Sequence, residues 1–155
     1  MLDARPWTMI DLQCLQDERG RLAFIESGAQ IPFDIRRVFY LYGVPSGMSR
    51  AGHALKSCEQ FLIAVSGSFE VLAFDGNEQE RFRLDKPEQG LHLSRWVWRE
   101  LVQFSSDAVC LVLASHAYDE TDYCRDYEEY LRLRRMRGKD VAGSVLALSA
   151  RREGP

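Results

Sequence analysis

The 155-residue sequence has no apolar run approaching the roughly 20 residues that a membrane-spanning helix requires. Its first residues include an early acid and lack the apolar segment of a secretory signal. It has no Gly-x-Gly-x-x-Gly motif, no phosphate-binding loop and no Gly-x-Ser-x-Gly motif, which argues against a dinucleotide site, an ATP site and a hydrolase-type serine nucleophile. These absences predict a cytoplasmic protein that does not enter a membrane and that uses no cofactor.

Cysteine and histidine are both scarce. The four cysteines are far apart and form no Cys-x-x-Cys pair, so the pattern of a zinc or thioredoxin-like site is missing. Of the three histidines, His53 stands six residues before Glu59, as in the His-x-His-x-x-x-Glu spacing of cupin metal sites, but Leu55 occupies the second histidine position. One histidine and one glutamate do not make a tight transition-metal site, so we expect no metal.

Positive charge is concentrated at the C-terminal end of the chain. The formal net charge is −3, and residues 132–155, with seven basic and two acidic residues, contribute +5, which leaves −8 on residues 1–131. An acidic body argues against a nucleic-acid partner, because duplex binding needs a broad basic surface. The basic residues near the C-terminus are interpreted as the end of a helix, where cations face the negative pole of the helix dipole.

Most of the sequence consists of short segments that are apolar or alternate in polarity, separated by turn residues. Such segments predict β-strands, at residues 36–42, 60–65, 69–74, 81–84, 91–93, 97–104 and 109–114. Strands of this length at regular spacing favour a β-sandwich or barrel.

One helix is predicted after the last strand. Asp119 is a candidate N-cap followed by acidic residues, and Tyr123, Tyr127 and Tyr130 recur at roughly helical spacing, so their rings should pack inward. Gly138 can end this helix. We therefore expect a single domain over residues 1–137, including the helix, and a flexible tail over residues 138–155.

His53 is the strongest candidate for proton transfer. It follows a loop rich in glycine and serine, precedes an apolar strand and lies three residues after Arg50, a position suited to a general base. Arginines elsewhere could hold diphosphate oxygens through bidentate hydrogen bonds. Residue types alone fit a strand-end histidine equally well, and for any single arginine they favour a surface ion pair or a solvated strand edge.

Several short sequence segments then occur in the order found in one enzyme family. They include residues 17–22 and 31–40, Gly52-His53-Ala54, Trp98-Arg99-Glu100 and Tyr118-Asp119-Glu120-Thr121-Asp122-Tyr123. Over about residues 10–132 the chain resembles the nucleotide-sugar 3,4-ketoisomerases, WxcM-like cupin enzymes that act on thymidine-diphosphate-linked 4-keto-6-deoxy sugars.

The resemblance implies an all-β cupin jelly-roll barrel with one C-terminal α-helix. It also implies a homodimer with intertwined N-terminal strands, and neither a metal nor another cofactor. The implied reaction moves a keto group from C-4 to C-3 of a dTDP-linked 4-keto-6-deoxyhexose through an enediol. Its implied catalytic residues are His53 and Tyr42, and its implied substrate-binding residues are Arg19, Arg37, Arg50, Trp98 and Arg99.

The chain departs from the family at one position that bears on catalysis. The usual stretch Arg-Gly-x-His-Ala-His-Lys reads Arg-Ala-Gly-His-Ala-Leu-Lys here, so Leu55 replaces the second histidine. Alternate residues of a strand share a face, and a leucine cannot transfer protons. Three hypotheses follow: isomerisation carried by His53 alone or with a tyrosine, a related isomerase or epimerase reaction, or a non-catalytic sugar-nucleotide binder. If the loss impairs turnover, Leu55→His should restore it.

Overall fold

The computed structural model describes residues 5–150, with side chains described from residue 5 to residue 138. It contains twelve β-strands and one α-helix within that range. The strands are β1 Trp7–Asp11, β2 Cys14–Asp17, β3 Gly20–Ala23, β4 Arg37–Tyr42, β5 Arg50–Leu55, β6 Gln60–Ser66, β7 Phe69–Phe74, β8 Gln79–Leu84, β9 Gln89–Leu93, β10 Trp98–Val102, β11 Val109–Ala114 and β12 Tyr123–Cys124. The helix, α1, is Tyr127–Ala150, and a short 3₁₀ turn at Glu120–Asp122 precedes it.

Ten of the strands form two five-stranded antiparallel sheets. The first sheet has the order β1-β9-β6-β11-β4 and the second has the order β12-β5-β10-β7-β8. Burial alternates along strands such as β7, because one face of the pleat meets the core and the other faces outward. The predicted all-β class with a C-terminal helix is confirmed.

The main hydrophobic core lies between the two sheets. Leu62 and Leu91 of the first sheet and Val71 and Leu101 of the second are each at most 2% exposed and belong to one packed cluster. A second cluster of buried hydrophobic residues, which includes Ile31, covers the opposite face of the first sheet. The two sheets therefore form two layers packed face to face across this core. At one end the space between the sheets is not filled by the core and forms a cavity.

Strands β2 and β3 form a separate hairpin that projects from the sheets. Every residue of both strands is exposed, including Leu15 at 52% and Leu22 at 56%. Apolar side chains at this level of exposure gain stability when another surface covers them.

The helix begins and ends at different residues from those predicted. Asp119 caps the 3₁₀ turn, whereas Asp126 caps α1 by accepting a hydrogen bond from the backbone N–H of Glu129 at 2.8 Å. The helix also continues through Gly138, so the predicted end there is wrong. A glycine within a helix costs only about 1 kcal/mol relative to alanine, which the surrounding residues can offset. Residues 151–155 of the predicted tail lie outside the described residues.

Tyr130 fixes α1 to the outer face of the second sheet. Its side chain is fully buried, and the single proton of its hydroxyl is shared between the backbone carbonyls of Phe74 at 2.9 Å and Trp96 at 3.0 Å. The predicted inward packing is correct for this tyrosine. No helix within the described residues has the length and hydropathy to cross a bilayer.

Candidate active site

A cavity of about 370 Å³ opens between the two sheets. The first sheet contributes mainly apolar side chains, the second contributes polar ones, and the segment before α1 closes one side. The lining residues are Phe39, Leu41, Ser49, Arg50, Ala51, His53, Gln60, Leu62, Arg99, Leu101, Val112, Tyr123 and Arg125. An apolar enclosure with a few convergent polar groups is typical of a small-molecule site.

A bulge in β5 directs His53 into this cavity. Along β10, Arg99 pairs with His53 and Glu100 pairs with Ala51, so Gly52 is the extra residue of the bulge. Ala51 and Gly52 both have a positive φ, of 69° and 75°. A left-handed alanine is strained by roughly 1–3 kcal/mol, and such strain and bulges are concentrated beside functional sites.

Arg99 lies directly across the strand pair from His53. The two residues are register partners, and both side chains line the cavity. Arg99 is 1% exposed, and in the described part of the chain its side chain makes one hydrogen bond, from Nη1 to Oε1 of Gln60 at 3.4 Å, whereas Nε and Nη2 have no partner. A buried cation with unmet donors is costly unless a ligand oxygen accepts from it. Arg99 is therefore suited to bind an anionic or carbonyl oxygen.

The surroundings of His53 keep its imidazole neutral. Burial, followed by the positive charges of Arg99 and Arg125, lowers its pKa to about 3. Burial also lowers the pKa of Arg99 to about 10, so that residue stays charged at neutral pH. Among the described residues, neither ring nitrogen of His53 has a hydrogen-bond partner. The pair thus combines an unprotonated imidazole, which can accept a proton, with a fixed positive charge that can stabilise a developing oxyanion.

The pH dependence of turnover should reflect this low pKa. An ordinary histidine with a pKa of about 6.5 would lose roughly tenfold in its neutral fraction between about pH 7.5 and 5.5. Because the pKa of His53 is about 3, its neutral form persists across that range. We expect kcat/KM to change by less than about threefold there. An acidic limb with a midpoint near 6.5, in protein that circular dichroism shows to be folded, would contradict this assignment.

Three further polar residues surround the pair. Arg50 is exposed at the cavity mouth, and Arg125 pairs with Glu120 at 2.8 Å and lies over the ring of Tyr123 at 4.4 Å. Arg37 adjoins the cavity and donates a 3.3 Å hydrogen bond from Nη2 to the hydroxyl of Tyr123. Of the predicted site residues, His53, Arg99 and Arg50 therefore line the cavity, and Arg37 contacts a lining residue, Tyr123, without lining the cavity itself.

The other three predicted site residues do not lie in this cavity. Tyr42 is 70% exposed, because Phe39 and Leu41 occupy the cavity side of β4 and Tyr42 faces the opposite way. Trp98 points outward beneath α1, with its ring 5.0 Å from the ring of Tyr127. Arg19 is at the exposed end of the β2–β3 hairpin, paired with Asp17. Within one chain, the structure does not place these three residues beside His53.

Sequence reasoning missed Tyr123, Arg125 and Gln60 as lining residues. Tyr123 was expected on the helix, but it belongs to β12, which pairs with β5 and brings its ring to 4.8 Å from the ring of His53. The only signal was its place in the segment of residues 118–123. No signal in the sequence pointed to Arg125 or Gln60, because an arginine before a helix and a glutamine at the start of a strand are common.

The His53–Glu59 spacing considered for a metal does not become a ligand pair. Glu59 instead binds His92, with Oε2 and Nε2 2.7 Å apart. Within residues 5–138, no group of three or more histidine, cysteine, aspartate or glutamate side chains is arranged to hold a metal ion.

Leu55 is packed behind the cavity wall and does not line the cavity. It is fully buried in a cluster with Cys58 and Ala114, and Phe39 and Tyr123 pack against that cluster and also line the cavity. Position 55 therefore shares the inward face of β5 with His53 but lies one layer deeper.

Two facing antiparallel sheets, with a polar site between them and a helix on the outside, define a cupin-type jelly-roll protein. The FdtA family, described as WxcM-like, C-terminal, matches residues 5–135. The chain belongs to this family.

Similar proteins agree with that assignment. The chain is 43% identical over 122 residues to a TDP-4-oxo-6-deoxy-α-D-glucose 3,4-oxoisomerase of Aneurinibacillus thermoaerophilus. The aligned residues make up 79% of this chain and 88% of that relative. The sugar 3,4-ketoisomerase QdtA of Thermoanaerobacterium thermosaccharolyticum, solved with TDP, superposes with a TM-score of 0.83 at 37% identity, over 88% of this chain and 98% of QdtA. The WlaRB TDP-quinovose 3,4-ketoisomerase of Campylobacter jejuni gives 0.80 at 38% identity, over 83% and 99%. The jelly-roll prediction and the family resemblance are confirmed.

Proposed function

We propose that this protein is a 3,4-ketoisomerase acting on a TDP-linked 4-keto-6-deoxyhexose. The observation that carries the proposal is the buried pair of neutral His53 and charged Arg99, which are register partners in one cavity. Membership of the family and the similarity to the oxoisomerase and to QdtA support the substrate class.

The positions of His53 and Arg99 suit each of them to one part of the reaction. The neutral imidazole of His53 removes the proton from C-3 of the hexose. The C–H electron pair becomes the C-3–C-4 double bond, and negative charge develops on the C-4 oxygen. The unpartnered N–H groups of Arg99 can donate to that oxygen, and a preformed donor in a buried site stabilises developing charge without reorganisation. Return of a proton to C-4 and transfer of the C-3 hydroxyl proton to the C-4 oxygen then give the 3-keto sugar.

Exchange with solvent deuterium tests the proposal directly. The purified protein is incubated with the TDP-linked 4-keto-6-deoxy sugar in heavy water, and products are followed by nuclear magnetic resonance. A 3-keto product that carries deuterium is the expected result. Tight binding without deuterium entry or keto transfer would favour a non-catalytic binder, and a product with an altered ring configuration but no keto transfer would favour an epimerase.

Arg50 is proposed to hold the diphosphate at the cavity mouth. A hydrogen bond to a charged group contributes about 1.5–3 kcal/mol, so Arg50→Ala should weaken TDP binding by roughly 10- to 100-fold. Arg50→Lys should recover only part of this loss, because an ammonium cannot form the bidentate contact. Arg83→Ala, on the far edge of the second sheet, is the matched control. Equal affinities of Arg50→Ala and the unaltered protein, measured calorimetrically, would remove Arg50 from the site.

Leu55→His tests whether the missing histidine limits the reaction. The new imidazole would be buried among Cys58, Ala114 and aromatic rings, and an unpartnered polar group there costs about 1–3 kcal/mol. We therefore expect a lower free energy of unfolding by that amount in urea titrations, and turnover that does not rise. Leu55→Met is the control of similar volume. Turnover that rises tenfold or more would show that this histidine had been the missing catalytic group.

A homodimer and a cytoplasmic location remain predictions. In support of a dimer, we note that Leu15, Leu22, Val38 and Tyr40 are between 52% and 61% exposed and would gain from cover by a second copy. Arg19, Trp98 and Tyr42 have no place in the mechanism proposed for a single chain. A role for Arg19 in binding substrate would require the β2–β3 hairpin to reach the site of the second copy.

A further inference from the structure

Tyr123 occupies the position from which a second proton could be moved. It is the register partner of Leu55, and its ring covers Leu55 from the cavity side. Its ring centroid lies 4.8 Å from that of His53, with 55° between the ring planes. The residue that stands in front of the substituted histidine position is therefore a tyrosine that lines the cavity.

The hydroxyl of Tyr123 is oriented by Arg37. The guanidinium can only donate hydrogen bonds, so in the 3.3 Å contact from Nη2 the phenol oxygen accepts. Arg37 is itself held between aromatic rings, 5.1 Å from the centroid of Phe39 and 5.5 Å from that of Tyr118. Because the phenol oxygen accepts from Arg37, its own O–H remains available to a ligand in the cavity.

Keto transfer requires two protons to move. One leaves C-3 and reaches C-4, and the other leaves the C-3 hydroxyl and reaches the C-4 oxygen. His53 can carry the first, because C-3 and C-4 are bonded neighbours. The other lining side chains are apolar, or are arginines, Ser49 and Gln60, none of which readily exchanges a proton. Tyr123 is the remaining cavity side chain with an O–H proton that can be given up and taken back.

We propose that Tyr123 is a second catalytic residue, whose hydroxyl transfers the proton between the two substrate oxygens. As His53 removes the C-3 proton, the Tyr123 O–H bond breaks and its proton goes to the C-4 oxygen, which gives the enediol and a phenolate beside Arg37. The phenolate then takes the C-3 hydroxyl proton while the imidazolium returns its proton to C-4. The C-3 oxygen becomes the carbonyl, both residues regain their starting states, and no redox change occurs. This inference rests on the proposed ketoisomerase function.

The test compares two rates in heavy water for the unaltered protein, Tyr123→Phe and Tyr127→Phe. The rates are deuterium entry at C-3 of the recovered 4-keto sugar and formation of the 3-keto product, each corrected for a reaction without protein. Tyr127→Phe removes the same atom from a ring outside the cavity, beside Trp98. TDP affinity reports whether each variant keeps a folded site.

Tyr123→Phe should lower product formation by about 100-fold or more, because one proton-transfer group is lost. Deuterium entry at C-3 should fall by less than about tenfold, because His53 and Arg99 are still in place. TDP affinity and the rates of Tyr127→Phe should be unchanged. Product formation that persists in Tyr123→Phe, or an equal fall in both rates, would overturn the inference. An unaltered protein that forms no 3-keto product would instead contradict the proposed function itself.

Discussion

His53→Asn is expected to abolish both keto transfer and deuterium entry at C-3, each falling by about 10²–10⁴-fold. Asparagine is polar and of similar size, but it cannot accept the C-3 proton. Arg99 and the cavity walls are left unchanged by the substitution, so TDP should bind within about threefold of its original affinity. This combination separates loss of the base from loss of the site.

The control for this result is His116→Asn. His116 is exposed after β11, where its Nδ1 contacts the hydroxyl of Ser115 at 2.8 Å, and it does not line the cavity. Its substitution should leave both rates unchanged. If His53→Asn still exchanges deuterium at the original rate, another group removes the C-3 proton and the proposed mechanism is wrong.

Arg99→Met should lower activity without lowering the free energy of unfolding. Removing the donor to the C-4 oxygen should lower kcat by about 10²–10³-fold, the effect typical of losing one oxyanion-stabilising donor. The free energy of unfolding should stay equal or rise, because replacing a buried charge that has few partners by an apolar side chain of similar length is often neutral or stabilising. Both results together would identify Arg99 as a group retained for activity at the expense of stability.

Stability is measured by urea unfolding and activity by the same resonance assay. Arg83→Met, an exposed arginine beside Asp85, is the control and should change neither. A loss of stability of more than about 2 kcal/mol in Arg99→Met would show that the contact with Gln60 holds the sheets together. Unchanged kcat would remove Arg99 from the reaction.

The sequence by itself predicted seven of the twelve strands of the described residues and identified His53 as the candidate general base. Strand formation depends on local alternation, on apolar runs and on turn residues, all of which are visible in one dimension. The segment at 60–65 falls within β6, and the segments at 69–74 and 109–114 coincide with β7 and β11. His53 was identifiable because a histidine between a glycine-containing loop and an apolar strand is an uncommon arrangement, and because the family segments include it.

Only the tertiary structure decided which face each site residue occupies. Trp98 and Arg99 are adjacent in sequence, yet one packs beneath α1 and the other is buried in the cavity, because successive residues of a strand point to opposite sides. The same alternation turns Tyr42 away from the cavity. Which of two neighbours faces inward depends on strand register, and a one-residue shift reverses it.

Tyr123 shows how long-range pairing can override a local pattern. Its spacing from Tyr127 and Tyr130 suits a helix, but its pairing with Leu55 makes it part of a sheet and places it beside His53. The low pKa of His53 has the same origin, because burial and the charge of Arg99 exist only once distant strands are packed together. Local residue chemistry thus pointed to His53, and the contacts between β5, β10 and β12 supplied its buried environment.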